Sequence, residues 1–176
     1  IGGLPAGFPL PVLVVLHIGE SFAMPFAEWL QGQVRLPVRV AIDGEPLPGV
    51  GTPGVVLARP GRHLRVERGR LRVVNGPERH ASRPSVDVLF ESVAQEVRER
   101  AIGVLLTGMG RDGAEGLLEM RRQGALTFAQ DESTSVIYGM PKEAARIGAA
   151  LQILPLPELA PEIVRAAQAD EREVHP

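Results

Sequence analysis

A histidine, an aspartate and a glycine-rich loop are the residues in this chain best placed to do chemistry. His17 closes the apolar run Val12 to Leu16. Asp112 lies in Thr107-Gly108-Met109-Gly110-Arg111-Asp112-Gly113, directly after the apolar run Ala101 to Leu106. Short continuous apolar runs read as strands buried on both faces, as in a parallel sheet covered by helices. Open α/β sheets bind ligands at the carboxyl ends of such strands. A histidine and a carboxylate, each ending a parallel strand, can face one another as a general base and the acid that orients it. Each residue alone has a plainer reading. A histidine ending a buried strand is often only packed and hydrogen-bonded, and Asp112-Gly113-Ala114-Glu115 has the spacing of a capping box.

The loop also satisfies G-x-G-x-x-G between a strand and a helix, and Asp131 follows the next strand at about the distance of a ribose-binding acid (~20 residues). A dinucleotide site is therefore an alternative, although Asp112 would stand where a pyrophosphate must enter. His17, His63, His80 and His175 lack metal-ligand spacing, so no metal is expected. Arg59, Arg62, Arg65, Arg68, Arg70, Arg72, Arg79 and Arg83 make one region basic. A solvated sheet face explains it, and a docking surface for an acidic protein is the sharper alternative.

Around these residues the chain has the composition of an ordinary globular domain, 176 residues with 44% hydrophobic and 23% charged. A net charge of -2 gives no case for nucleic acid. The absence of cysteine excludes disulfides and thiolate chemistry and agrees with a cytoplasmic location. No apolar run approaches the ~20 residues of a membrane span. The chain opens with Ile1 rather than Met and reads as a fragment.

The elements that must position the site follow from periodicity. Phe22, Phe26, Trp29 and Leu30 mark one helix face, with Pro25 in its first turn. Val34 to Val40 reads as an edge strand, Val55 to Ala58 as another strand, and His63 to Val66 with Leu71 to Val74 as a β-hairpin, so the middle is antiparallel in character. Ser85 caps a helix bearing Val86, Leu89, Phe90, Val93 and Val97. A helix from Ala114 stops at Gly124. Then come a strand Ala125 to Ala129, a short helix opened by Pro141, a strand Leu151 to Leu154, and a helix Glu158 to Ala169. The fold class is α/β, a doubly wound, mostly parallel sheet with helices on both faces and an antiparallel β-hairpin insert.

Taken together, Val14-Val15-Leu16-His17, Arg83-Pro84-Ser85-Val86-Asp87-Val88-Leu89-Phe90, Thr107 to Gly113, and Gln130-Asp131 with Tyr138-Gly139-Met140-Pro141 resemble the catalytic domain of chemotaxis protein-glutamate methylesterases. The resemblance covers residues 1–169 as one catalytic domain and leaves 170–176 as a charged tail. It implies a serine hydrolase, without cofactor, that demethylates glutamate methyl esters on cytoplasmic helices of chemoreceptors and also deamidates glutamines. His17 matches the family's catalytic histidine, Asp112 the aspartate that orients it, and Met109 a loop residue whose N–H helps hold the oxyanion. A receiver domain, in cis or in trans, is an implied partner.

The resemblance lacks one part. The family carries its nucleophile in an Ile-Gly-x-Ser-x-Gly-Gly loop after a first strand, whereas Ile1-Gly2 is followed here by Gly3-Leu4-Pro5. Ser21, Ser82, Ser85, Ser92, Ser133 and Ser135 do not match that motif, and Ser21 reads as a cap. Either a segment is omitted between Gly2 and Gly3, which the opening Ile-Gly favours, or the chain is a non-catalytic relative that only binds receptors.

Overall fold

The structure is a computed structural model; it describes residues 1–174, with side chains through Gln168. Eight strands and five helices follow in the order β1 Pro11–Val14, α1 Ala23–Gln33, β2 Val38–Val40, β3 Gly54–Leu57, β4 His63–Glu67, β5 Arg70–Val74, α2 Val86–Glu96, β6 Ile102–Leu105, α3 Ala114–Arg122, β7 Leu126–Gln130, α4 Met140–Arg146, β8 Gln152–Leu154 and α5 Leu156–Val174. The α/β class and the helix positions agree with the periodicity. The last helix is longer than expected, so residues 170–174 of the expected charged tail are helical, and residues 175–176 lie outside the described part. No helix among the described residues is long and apolar enough to cross a membrane.

The parallel strands form two three-stranded sheets, ordered β1-β3-β2 and β6-β7-β8. β2 and β3 run parallel to each other, so the antiparallel character expected of the whole middle section is confined to the β4–β5 hairpin and the isolated bridges Pro46–Arg70 and Arg79–Ser82. Its two-residue turn places Arg68 at φ 51° and Gly69 at φ 68°, the left-handed pair that matches strand twist in a type I′ turn. β1 and β6 each pair on one side only. Val12 and Val14 of β1 pack with Ile102 of β6 against a core cluster of Leu30, Leu36, Val55, Leu57 and Ala167. The two open sheet edges therefore border the same apolar layer.

α1 and α5 contribute to that cluster, and α2, α3 and α4 to a second one built on Val86, Leu105, Ala114, Leu117, Met140 and Ala144. Helices thus cover both faces. In α1 the buried residues are Ala27 and Leu30, whereas Phe22 and Trp29 are more than half exposed. Phe22 lies in a short 3-10 turn before the helix begins, and Trp29 faces solvent from within the helix, its ring beside Phe26.

Candidate active site

β1 stops at Val14, three residues before His17, and β6 stops two residues before Thr107. Both connections leave the carboxyl ends of parallel strands, which brings their loops to one edge of the molecule. The β6 loop turns at Gly110 (φ 92°) and Gly113 (φ 91°). At Gly113 a Cβ would approach Leu105 and Val86 side chains to 2.7 Å. Glycine is needed there both for the left-handed backbone and for close contact with the start of α2.

That contact delivers Asp112, 2% exposed, to the amino end of α2. Its Oδ2 accepts from His17 Nε2 at 2.8 Å and from the Val86 N–H at 2.7 Å. Its Oδ1 accepts from Ser85 Oγ at 2.6 Å and from the Asp87 N–H at 3.2 Å. Burial alone raises the pKa of this carboxyl. The bonds from His17, Ser85, Val86 and Asp87 outweigh burial and hold it below its ordinary value. An anionic Asp112 places a hydrogen on His17 Nε2 and leaves the Nδ1 lone pair free, on a side chain that is 31% exposed. The pair is an oriented imidazole base open to a substrate.

Asp112 does not cap its own helix. Gly113 is the α3 N-cap, with no side-chain bond. Asp87, fully buried in the first turn of α2, serves that end by accepting from the Gly116 N–H at 2.6 Å and from the Gly113 N–H. Glu115, the other half of the expected capping box, pairs instead with Arg79 at 3.0 Å. The box fails because α2 presents a carboxylate to the α3 amides, so Asp112 is free to face away. The same arrangement counts against a dinucleotide, since the anion-binding amides at the glycine loop already hold Asp87.

The remaining loop is held by β7 and the segment after it. Gln130 Oε1 accepts from the Thr107 N–H at 2.8 Å while its Nε2 donates to the Thr134 carbonyl at 2.7 Å. The Gly108 N–H donates to the Ile137 carbonyl at 3.1 Å and the Met140 N–H to the Gly108 carbonyl at 2.8 Å. Met109 projects from this frame, 80% exposed. Among the described residues its N–H has no hydrogen-bond acceptor. Asp131 is not a ribose ligand in waiting: it accepts from Ser133 Oγ and from the Thr134 N–H and hydroxyl within its own turn.

His80, Asp87 and Glu115 bring three possible metal-ligand atoms within 4.8 Å, but Arg79 already supplies a cation there. Its guanidinium contacts Glu115 and Glu91, and its Nε lies 3.7 Å from Asp87 Oδ2. Arg111 Nε donates to His80 Nδ1, which puts the ring hydrogen on the nitrogen that a metal would need. Within the basic region Arg70, Arg72, Arg79 and Arg83 bond to the protein's own oxygens. Arg59, Arg62, Arg65 and Arg68 are exposed.

His17 and Asp112 meet as their places at strand ends predict, whereas Ser85 as a donor to Asp112, Asp87 as the α3 cap and Gln130 as the loop tie emerge only in the fold. Only the cap preference of Ser85 and the polar Gln130 ending an apolar strand hinted at them.

A model of the CheB methylesterase family matches residues 1–163. The chain belongs to the CheB methylesterase family. It is 51% identical to a Cupriavidus metallidurans protein named protein-glutamate methylesterase/protein-glutamine glutaminase, over 98% of this chain and 50% of that protein. A Pseudomonas aeruginosa protein of the same name is 51% identical over 91% of this chain and 47% of its own length. The chain thus spans about half the length of the curated relatives it matches. The crystal structure of the Thermotoga maritima CheB methylesterase catalytic domain superposes with a TM-score of 0.85 at 31% identity, covering 94% of this chain and 88% of that one. The CheB catalytic fold accounts for the parallel strands, the covering helices and the small antiparallel pair.

Proposed function

We propose that this chain supplies the base, the orienting acid and the oxyanion loop of a serine hydrolase that removes methyl groups from protein glutamate methyl esters and deamidates protein glutamines. The observation that carries this reading is the His17–Asp112 bond, 2.8 Å long on a buried, anionic carboxylate. Family membership supports the substrate class. The partners that follow are methylated cytoplasmic helices of chemoreceptors and a receiver domain, with the cytoplasm as location.

In this mechanism His17 Nδ1 takes a proton from the attacking serine hydroxyl. The alkoxide adds to the ester carbonyl, and the Met109 N–H donates to the resulting oxyanion. His17 returns the proton to the leaving methoxide, which departs as methanol and leaves a serine–glutamyl ester. Water, activated by the same nitrogen, then releases the glutamate carboxylate. Asp112 stays ionised, fixing the tautomer and stabilising the imidazolium.

We infer that the nucleophilic serine belongs to a segment missing between Gly2 and Gly3, where Ile1 to Leu4 here closes as a tight turn with the Leu4 N–H on the Ile1 carbonyl at 2.9 Å. Ser85 is fully buried and spends its hydroxyl on Asp112, and among the described residues no serine is bonded to His17.

Loss of the longer protein's methanol release on covalent modification by a serine-directed organophosphonate tests the nucleophile, and oxygen-18 labelling tests which bond of the ester is cleaved. Hydrolysis in labelled water puts one label in the glutamate carboxylate and none in the methanol. Labelled methanol would rule out acyl transfer.

A further inference from the structure

His63 stands outside the His17–Asp112 pair yet is bonded to the residue that holds Asp112. It opens β4 and is 3% exposed. Its Nδ1 accepts the Ser85 N–H at 3.2 Å, and its Nε2 lies 3.0 Å from the Pro77 carbonyl. The first contact needs a lone pair on Nδ1 and the second a hydrogen on Nε2, so the two together select the Nε2–H tautomer. Gly76 leaves room for the ring, since a Cβ there would come within 3.1 Å of His63 Cδ2. One imidazole therefore ties the hairpin, the loop at 75–84 and the first residue of the α2 cap together.

Ser85 passes that restraint on. Its N–H is buried and would lose its partner without His63, while its Oγ donates to Asp112 Oδ1 at 2.6 Å. A buried amide left unpaired moves or costs stability. Movement of Ser85 would displace the hydroxyl, the Asp112 carboxylate and then the His17 ring. The geometry points to His63 as a positioning residue for ester hydrolysis, acting through Ser85 on Asp112. This role rests on the reading of His17 and Asp112 given above.

The test compares His63→Leu with His63→Asn in the longer protein acting on methylated chemoreceptor, with Ser85→Ala and Asp112→Asn in the same assay. Leucine and asparagine have nearly the same shape, but only asparagine keeps an acceptor near the Nδ1 position. His63→Leu lowers kcat by about 10- to 100-fold at unchanged KM, the scale of a displaced reacting group. His63→Asn recovers most of the loss. Ser85→Ala resembles His63→Leu, and the double variant is no worse than Ser85→Ala alone. An inactive Asp112→Asn beside a folded His63→Leu of wild-type kcat overturns the positioning role alone. His63→Asn as slow as His63→Leu does the same. An active Asp112→Asn overturns the reading of the site together with the positioning role. Should His63→Leu fail to fold, Ser85→Ala at wild-type kcat overturns the proposal, and a slow Ser85→Ala beside a near-normal His63→Asn supports it.

Discussion

Asp112 and Asp87 clasp each other's helices: Asp112, just before α3, accepts the Val86 and Asp87 amides of α2, while Asp87, in α2, accepts the Gly116 amide of α3. Both carboxylates are buried, yet their pKa values move in opposite directions. Four donors hold Asp112 low. Asp87 is pushed up, first by burial, with the Asp112 charge adding to it, and the Gly116, Gly113 and Arg79 contacts offset this only in part. One member of the clasp is thus kept as the anion that an imidazolium needs, and the other bears the electrostatic strain.

Acid sensitivity follows from Asp112. Its folded pKa lies below the ordinary 3.8, so its stabilising contribution is complete above that pH and is lost as pH falls through it toward the folded value. Urea unfolding of wild type and Asp112→Asn is expected to show wild type the more stable at pH 7. The difference should shrink below about pH 3.8. A difference that stays constant with pH would remove the linkage.

Asp87 behaves with the opposite sign. Its raised pKa means that folding stability falls as pH rises from 3.8 through the folded value. His80 Nε2, 3.1 Å from Asp87 Oδ2, is nearer than the Arg79 Nε at 3.7 Å, so Arg79→Met leaves Asp87 one neighbour and should destabilise by about 1 to 2 kcal/mol near neutrality. Part of the loss should return as pH falls from neutrality toward the ordinary 3.8, because a raised pKa lets Asp87 take up its proton earlier than a free carboxyl. Denaturant midpoints at two pH values decide this.

The two positive-φ glycines of the loop should respond differently. Gly110→Ala meets open space and should cost about 1 kcal/mol for its backbone alone. Gly113→Ala adds overlap with Leu105 and Val86 at 2.7 Å and should cost about 2 to 4 kcal/mol. It should also slow ester hydrolysis, because Asp112 is its neighbour. Thermal melts and kcat of both variants measure the contrast, and equal costs would contradict the packing argument.

Much of this architecture was readable from local pattern. The Ser85 cap, the Arg68-Gly69 hairpin turn, the Gly124 stop and the His17–Asp112 partnership depend on spacing or on strand ends, which sequence displays. What escaped depends on how elements meet. The capping box at Asp112 and Glu115 was plausible locally but lost to Asp87, a competitor from another helix. The division of the parallel strands into two sheets, and the parallel direction of β2 and β3, follow from pairing partners that no short window contains. His63 looked like an isolated strand residue because its partners, Pro77 and Ser85, become neighbours only when the 75–84 loop folds over the hairpin.

The central claim is that His17, oriented by Asp112, is the base for ester hydrolysis. Methanol release from methylated chemoreceptor by the longer protein carrying His17→Ala tests it most directly. The account predicts that kcat falls by a factor on the order of 10⁶, as when a triad member is removed, with the fold retained. Methanol release at the wild-type rate would contradict it.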